Sequence, residues 1–184
     1  DMERARESVL RAVERNEGPV MIVGPAGTGK SLLSDLVARH FDHQFEVVRL
    51  GSGKLTTRRA LFQCLLYELG LSFRGLDETE ARLTLQGHID SCQNPLLVLV
   101  DEAHNLPLRL LEELRLLSNH SQAGEGKVRL VLFGNTALEE RLANPKLASF
   151  NQRIAFRGYL HPWSRQETHQ YLRHQLEWAG VRAE

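Results

Sequence analysis

Gly24-Pro25-Ala26-Gly27-Thr28-Gly29-Lys30-Ser31 is the stretch whose reading decides the fold. It satisfies the pattern GxxxxGK[ST] at every fixed position. It stands between a short apolar run, residues 20–23, and an amphipathic segment, residues 31–40, where Leu32, Leu33, Leu36 and Val37 make a helical stripe. Strand, glycine-rich turn and helix in that order is the setting in which such a turn cradles phosphate. The glycines let successive N–H groups converge on phosphate oxygens, and the first turn of the helix adds the positive end of its dipole. The expected nucleotide contacts run from Gly24 through Pro25, Ala26, Gly27, Thr28, Gly29, Lys30 and Ser31 to Leu32. Lys30 is expected to bridge the terminal phosphates and the Ser31 hydroxyl to ligate Mg²⁺.

Further along, residues 96–100 are wholly apolar and run directly into Asp101-Glu102. Such a run suits a central strand buried on both faces, and open α/β sheets place their ligands at the carboxyl ends of such strands. Asp101 is therefore expected to hold Mg²⁺ through its hydration shell, and Glu102 to act as the base for, or orient, a water attacking the γ-phosphate of ATP. A nucleotide kinase or a switch GTPase needs no adjacent glutamate of this kind. Asp101-Glu102-Ala103-His104 also spells the DEAH signature of helicases. That reading requires a second RecA-like domain and a Ser/Thr-Ala-Thr motif on the next strand, and here the next strand ends Val131-Leu132-Phe133-Gly134-Asn135-Thr136. Asn135, at the tip of that strand, is placed to hold the attacking water with Glu102. Arg153, before a late strand expected at residues 153–156, is the candidate for an arginine reaching a neighbouring subunit's γ-phosphate.

Around these motifs helix-period and strand-like segments alternate, the pattern of helices covering a mostly parallel sheet. Helices are expected over residues 8–15, 31–40, 57–69, 78–92, 108–117 and 136–143, and strands over 20–23, 45–50, 96–100, 128–133 and 153–156. Residues 70–77 and 121–127 are expected as loops. Ser164 and Glu167 form a capping box opening a helix to residue 178. The division expected is a nucleotide-binding core over residues 1–160 and the start of a truncated helical lid over 161–184.

Lysine plus arginine and aspartate plus glutamate both number 23, so the net charge of zero favours a protein partner over a polyanion. Nucleic acid is the alternative partner. Arg58-Arg59 beside Lys54 is read as a solvated helix start rather than a nucleic-acid patch, and none of the eight histidines is read as a metal ligand. Cys64 and Cys92 lack CxxC spacing and are read as reduced core thiols, in keeping with a cytoplasmic protein. No apolar run approaches the roughly 20 residues that span a bilayer, so no membrane contact is expected within the chain. The absence of an initiating Met and the end at Glu184 suggest a piece of something longer, with any anchor at the inner membrane outside it.

Asp101-Glu102-Ala103-His104-Asn105-Leu106 and Leu111-Glu112-Glu113-Leu114-Arg115-Leu116-Leu117-Ser118-Asn119 closely match the DEAQNL and LEELRLLSN stretches of a known family. Gln152-Arg153-Ile154, Tyr159-Leu160-His161-Pro162-Trp163, Glu167-Thr168, residues 171–176 and Ala179-Gly180 continue the match. The chain resembles the AAA+ ATPases of the general secretion pathway protein A (ExeA-like) type, which are related to the transposition ATPases TniB and TnsC. The resemblance implies an α/β P-loop NTPase of AAA+ type, with a parallel five-stranded sheet flanked by helices and the beginning of a C-terminal helical lid. It also implies ATP and ADP as ligands, Mg²⁺, a homo-oligomer, sensor 1 at Asn135 and a trans-acting arginine at Arg153. His104 departs from the family's glutamine. A secretion-related motor or switch acting on a protein is the leading expectation, and an ATP-dependent DNA-binding transposition adaptor is its rival.

Overall fold

A strand with apolar side chains on both faces is stable only when both faces are covered, and two strands of this chain have that composition. The strands are β1 (Val20–Val23), β2 (Glu46–Gly51), β3 (Leu96–Asp101), the two-residue β4 (Ser121–Gln122) and β5 (Glu125–Gly126), β6 (Val128–Gly134) and β7 (Phe156–Tyr159). The computed structural model describes residues 2–51, 53, 55–122 and 125–178. Its main sheet has five strands in the order β2-β3-β6-β1-β7, with every pairing parallel. The doubly apolar β1 and β3 lie inside it, and β2 and β7 form the edges. The fold is the expected α/β P-loop fold, a parallel five-stranded sheet flanked by helices.

Because successive strand residues point to opposite faces, each strand feeds two core layers. Val20, Ile22, Leu97, Leu99, Val131 and Phe133 pack on one face against α1 (Met2–Glu14) and α2 (Lys30–Phe41). Met21, Val48, Val98, Val100, Leu130 and Leu132 form the other layer. It is covered by α3 (Arg58–Glu68), α4 (Glu78–Ser91), α5 (Leu108–Ser118), α6 (Thr136–Leu142) and α7 (Ala148–Arg153). The leucine stripe of α5, Leu110, Leu111, Leu114 and Leu117, is core throughout. Helix starts follow local chemistry. Thr57 Oγ1 accepts from Ala60 N at 3.1 Å to cap α3, and Asp77 with Glu80 makes a reciprocal capping box for α4. The last helix, α8 (Arg165–Trp178), opens on the expected box: Glu167 N donates to Ser164 Oγ and Ser164 N to Glu167 Oε2.

Several elements differ from the sequence expectation. Helix α1 starts at Met2, not residue 8, because Ala5 continues the buried stripe of Val9, Ala12 and Val13 one turn towards the N-terminus. The last strand is Phe156–Tyr159, not 153–156. Arg153 ends α7, and Ala155 N donates to Pro19 O before the pairing of Val20 with Phe156 begins. Residues 145–152, given no structure in the sequence, form a 3₁₀ turn, Pro145–Leu147, and all but the last residue of α7. The span expected as a loop after residue 120 contains the antiparallel pair β4–β5.

Both cysteines are free, as expected, but only half-buried: Cys64 packs against the edge of the core, and Cys92 lies outside it. Cys92 Sγ donates to Glu46 Oε1 at 2.8 Å, and this bond, followed by partial burial, raises the thiol's pKa above its ordinary value. Arg58 is not simply solvated, since its Nε lies 2.7 Å from Glu113, a carboxylate only 4% exposed. Lys54 and residues 179–184 lie outside the described residues.

Leu97, fully buried at the centre of the sheet, tests the layer assignment. Leu97→Ala is expected to lower unfolding stability by about 2–5 kcal/mol, measured as a reduced urea midpoint at unchanged m-value.

Candidate active site

The parallel register brings the carboxyl ends of β1, β3 and β6 to one edge of the sheet. Val23 stands opposite Gly134, and Val100 opposite Leu132. Gly24 N donates to Gly134 O at 3.1 Å, so the glycine turn leaves β1 while still tied to β6. Gly27 and Gly29 have φ of 80° and 86°, a left-handed conformation that residues with a Cβ rarely adopt. Gly29 is the N-cap of α2 and offers no side-chain cap, so the N–H groups of the first helical turn face the turn's concave side. A Cβ at Gly29 would collide with Met2 Cε, which places the start of α1 against the cradle, a neighbour the sequence reading missed. Thr28 Oγ1 donates to Pro25 O at 2.9 Å and braces the turn from within. Lys30 Nζ donates to the carbonyls of Gly24 at 2.8 Å and Pro25 at 2.6 Å, so the ammonium rests on the turn's own backbone.

Beside the turn, Ser31 Oγ donates to Asp101 Oδ2 at 2.7 Å, and Glu102 N donates to Asp101 Oδ1 at 2.8 Å. Glu102 itself is left-handed, with φ 48° and ψ 36°. A non-glycine residue in that conformation carries strain of about 1–3 kcal/mol. The turn throws its side chain to where Asn105 Nδ2 donates to Glu102 Oε2 at 3.3 Å. Asn135 caps α6, its Oδ1 accepting from Ala137 N at 3.0 Å. Ala26, Gly27, Gly29, Lys30, Ser31, Leu32, Asp101, Glu102, His104 and Asn135 line one open cleft of about 460 Å³. The hydroxyl of Ser31 and the carboxylate of Asp101 form the hard oxygen pair that Mg²⁺ accepts, and the glycine cradle with Lys30 fits a polyphosphate.

Most of the sequence-selected residues thus converge on this cleft. Arg153 does not: its exposed guanidinium donates to Asn119 Oδ1 away from the cleft lining. His104 joins the cleft, and its buried Nδ1 meets no hydrogen-bond partner among the described residues.

A glycine-capped helix after β1 and a carboxylate pair at the end of β3, joined through Ser31 and Asp101, define a P-loop nucleotide-binding protein. The profile of the AAA domain family matches residues 13–142, and the chain belongs to that family. It is 32% identical over 173 residues to General secretion pathway protein A of Aeromonas hydrophila. That match takes in 89% of this chain and 30% of the relative, so the chain spans under a third of that protein. Among solved structures, Cdc6p of Pyrobaculum aerophilum superposes with a TM-score of 0.79 at 18% identity over 96% of this chain and 48% of that one. The Aeropyrum pernix ORC2 protein in its ADPNP–ADP complexes gives a TM-score of 0.74 at 17% identity over 94% of this chain and 51% of that one. At such identities the likeness is one of fold.

Two glycines separate backbone need from mere tolerance. Gly29→Ala is expected to lower stability by about 1–2 kcal/mol through its left-handed φ, with a further loss from Met2. Gly87→Ala, exposed inside α4 with nothing near its Cβ, is expected to raise stability by about 0.5–1 kcal/mol. Chemical denaturation of both variants compares them directly.

Proposed function

We propose that this domain binds ATP and hydrolyses it in an Mg²⁺-dependent reaction, as part of an oligomerising AAA+ motor or switch that acts on a protein partner. The observation that carries the reading is the 2.7 Å contact of Ser31 with Asp101, which joins the glycine turn and the carboxylate pair on one wall of one cleft. Lys30 exchanges its two backbone carbonyls for terminal phosphate oxygens, and the N–H groups from Gly27 to Ser31 and the flank at Leu32 hold the rest of the nucleotide. Ser31 and Asp101 would hold Mg²⁺, which would supply neutralisation of the phosphate charge. Glu102 orients the attacking water and takes its proton, and Asn135 fixes that water from the neighbouring strand. Asn105, bonded to Glu102 Oε2, limits the rotamers open to the base.

Residues 1–160 serve as the nucleotide core, and α8 begins a lid. Arg153 lies outside its own cleft, so its contribution comes from one subunit to the site of another. The similarity to General secretion pathway protein A supports a secretion-related role with a protein partner, and the zero net charge agrees with it. The full-length protein works in the cytoplasm or attached at the inner face of a membrane. Among the described residues no helix is long and apolar enough to cross a membrane. An ATP-dependent, salt-sensitive mobility shift of labelled duplex DNA would replace the protein-partner reading with that of a DNA-bound adaptor.

Lys30→Ala is expected to abolish binding of a fluorescent ATP analogue; unchanged affinity would sink the nucleotide assignment. Glu102→Gln is expected to keep that binding and to lower turnover by about 10² or more, whereas equal loss of both would make Glu102 structural. A trans-acting arginine is worth roughly 10³ in rate, so activity per subunit should rise with protein concentration. Mixing Glu102→Gln with Arg153→Ala should then restore activity at interfaces that pair an intact Glu102 with an intact Arg153. Constant specific activity on dilution, with no recovery on mixing, would mean that Arg153 acts within its own subunit or not at all.

A further inference from the structure

At the opposite end of the sheet from the nucleotide cleft, three side chains with metal-ligating atoms meet. Glu46 is the first residue of β2, His88 lies in the last turn of α4, and Cys92 is that helix's C-cap. Glu46 is far from His88 and Cys92 in the sequence, and the β2–β3 register brings it to them. Glu46 pairs with Leu96, and Glu46 N donates to Pro95 O at 3.0 Å, so the strand begins beside the turn that leaves α4. His88 and Cys92 are four residues apart and so share a helix face. His88 Nε2 stands 2.7 Å from Glu46 Oε2, Cys92 Sγ 2.8 Å from Glu46 Oε1, and Cys92 Sγ 3.7 Å from His88 Nε2. This is the one group of three such ligand atoms within 4.8 Å of one another among the described residues. All three side chains are half-buried, with His88 22% and Glu46 31% exposed.

We propose that Glu46, His88 and Cys92 bind a zinc-class divalent cation, which staples the start of the edge strand to the end of α4. Tetrahedral zinc takes sulfur at about 2.3 Å and nitrogen or oxygen at about 2.0–2.2 Å, which separates neighbouring ligand atoms by roughly 3.4–3.6 Å. The sulfur–nitrogen pair, at 3.7 Å, is already close to that spacing. The carboxylate must withdraw by roughly 0.7 Å from the other two, which its partial exposure and its place at the strand end allow. The ligand chemistry sets the selectivity. A thiolate with an imidazole and a carboxylate suits zinc, cobalt or copper, while Mg²⁺ and Ca²⁺ take oxygen alone and are left to the nucleotide cleft. On binding, the S–H bond breaks, its electron pair forms the metal–sulfur bond, and the proton passes to the buffer. His88 binds through its neutral Nε2, one carboxylate oxygen of Glu46 completes the protein set, and water fills the fourth position. Of the nearby charged groups, Lys127 donates to the Cys92 carbonyl at 3.4 Å and His120 is paired with Asp90, so neither takes up a ligand atom.

The test is a titration of the whole chain, treated with a chelator and a thiol-free reductant, with Co²⁺ in Mg²⁺-containing buffer. The expected result is one equivalent bound, with a sulfur-to-cobalt charge-transfer band and the intense visible bands of a four-coordinate ion, all displaced by Zn²⁺. Cys92→Ser should lose the charge-transfer band, and Cys64→Ser should keep it. His88→Ala should weaken binding by more than the roughly tenfold that losing even an outer hydrogen-bond partner of a metal ligand costs. Should either ligand variant fail to fold, the wild-type chain still decides the matter. One equivalent of Zn²⁺ should slow alkylation of Cys92, resolved by mass spectrometry, and leave Cys64 unaffected. The absence of a charge-transfer band at equimolar Co²⁺, a band that vanishes with Cys64 instead, or unchanged alkylation of Cys92 would overturn the proposal and leave a hydrogen-bonded triad.

Discussion

The parallel register of the three inner strands is the constraint on which the rest of this domain depends. Val20 opposite Val131 and Leu96 opposite Val128 set β1 and β3 on either side of β6 with all three running the same way. The chain therefore leaves each strand at the same edge. The glycine turn, Asp101-Glu102 and Asn135 come from widely separated parts of the sequence and need no loop to bring them together. A slip of one residue would exchange the two faces of a strand. In β3 that would turn Leu97 and Leu99 out of the layer beneath α1 and α2, and carry Asp101 away from Ser31. Core packing and site geometry are thus a single specification.

The two ends of the sheet differ in chemistry for the same reason. At the carboxyl ends, backbone N–H groups, Lys30 and hard oxygens gather around an open cleft, an environment for phosphate and its counter-cation. At the amino ends, the helices finish and the chain returns through Asn94-Pro95, so side chains from a helix terminus and a strand start converge instead. Glu46, His88 and Cys92 occupy that second kind of place, where donors are mixed in softness and the surroundings are half dry.

What the sequence made legible had local physical signatures. The turn from Gly24 to Ser31 needs its glycines wherever it occurs, and the unbroken, short apolar run of β3 suits a strand covered on both faces. From those two stretches the fold class, the flanking helices and most of the cleft follow. Elements without a local period were illegible. The Ala148–Arg153 helix has one buried residue, Phe150, to mark its inner face. Residues 153–156 look like a strand because Ile154, Ala155 and Phe156 are apolar, yet pairing with β1 starts only at Phe156. The first turns of α1 were lost among charges that surround Ala5. Glu46 and Cys92 were invisible as neighbours because only strand register brings them together. Met2 against Gly29 is likewise a tertiary contact with no trace in pattern.

The left-handed backbone of Glu102 has a consequence for how this domain changes over generations or in a laboratory screen. Glycine would occupy that conformation without strain, so a substitution there can make the chain harder to unfold while removing the carboxylate beside Asp101. Selection for expression or heat resistance alone would thus favour glycine at position 102 at the expense of that carboxylate.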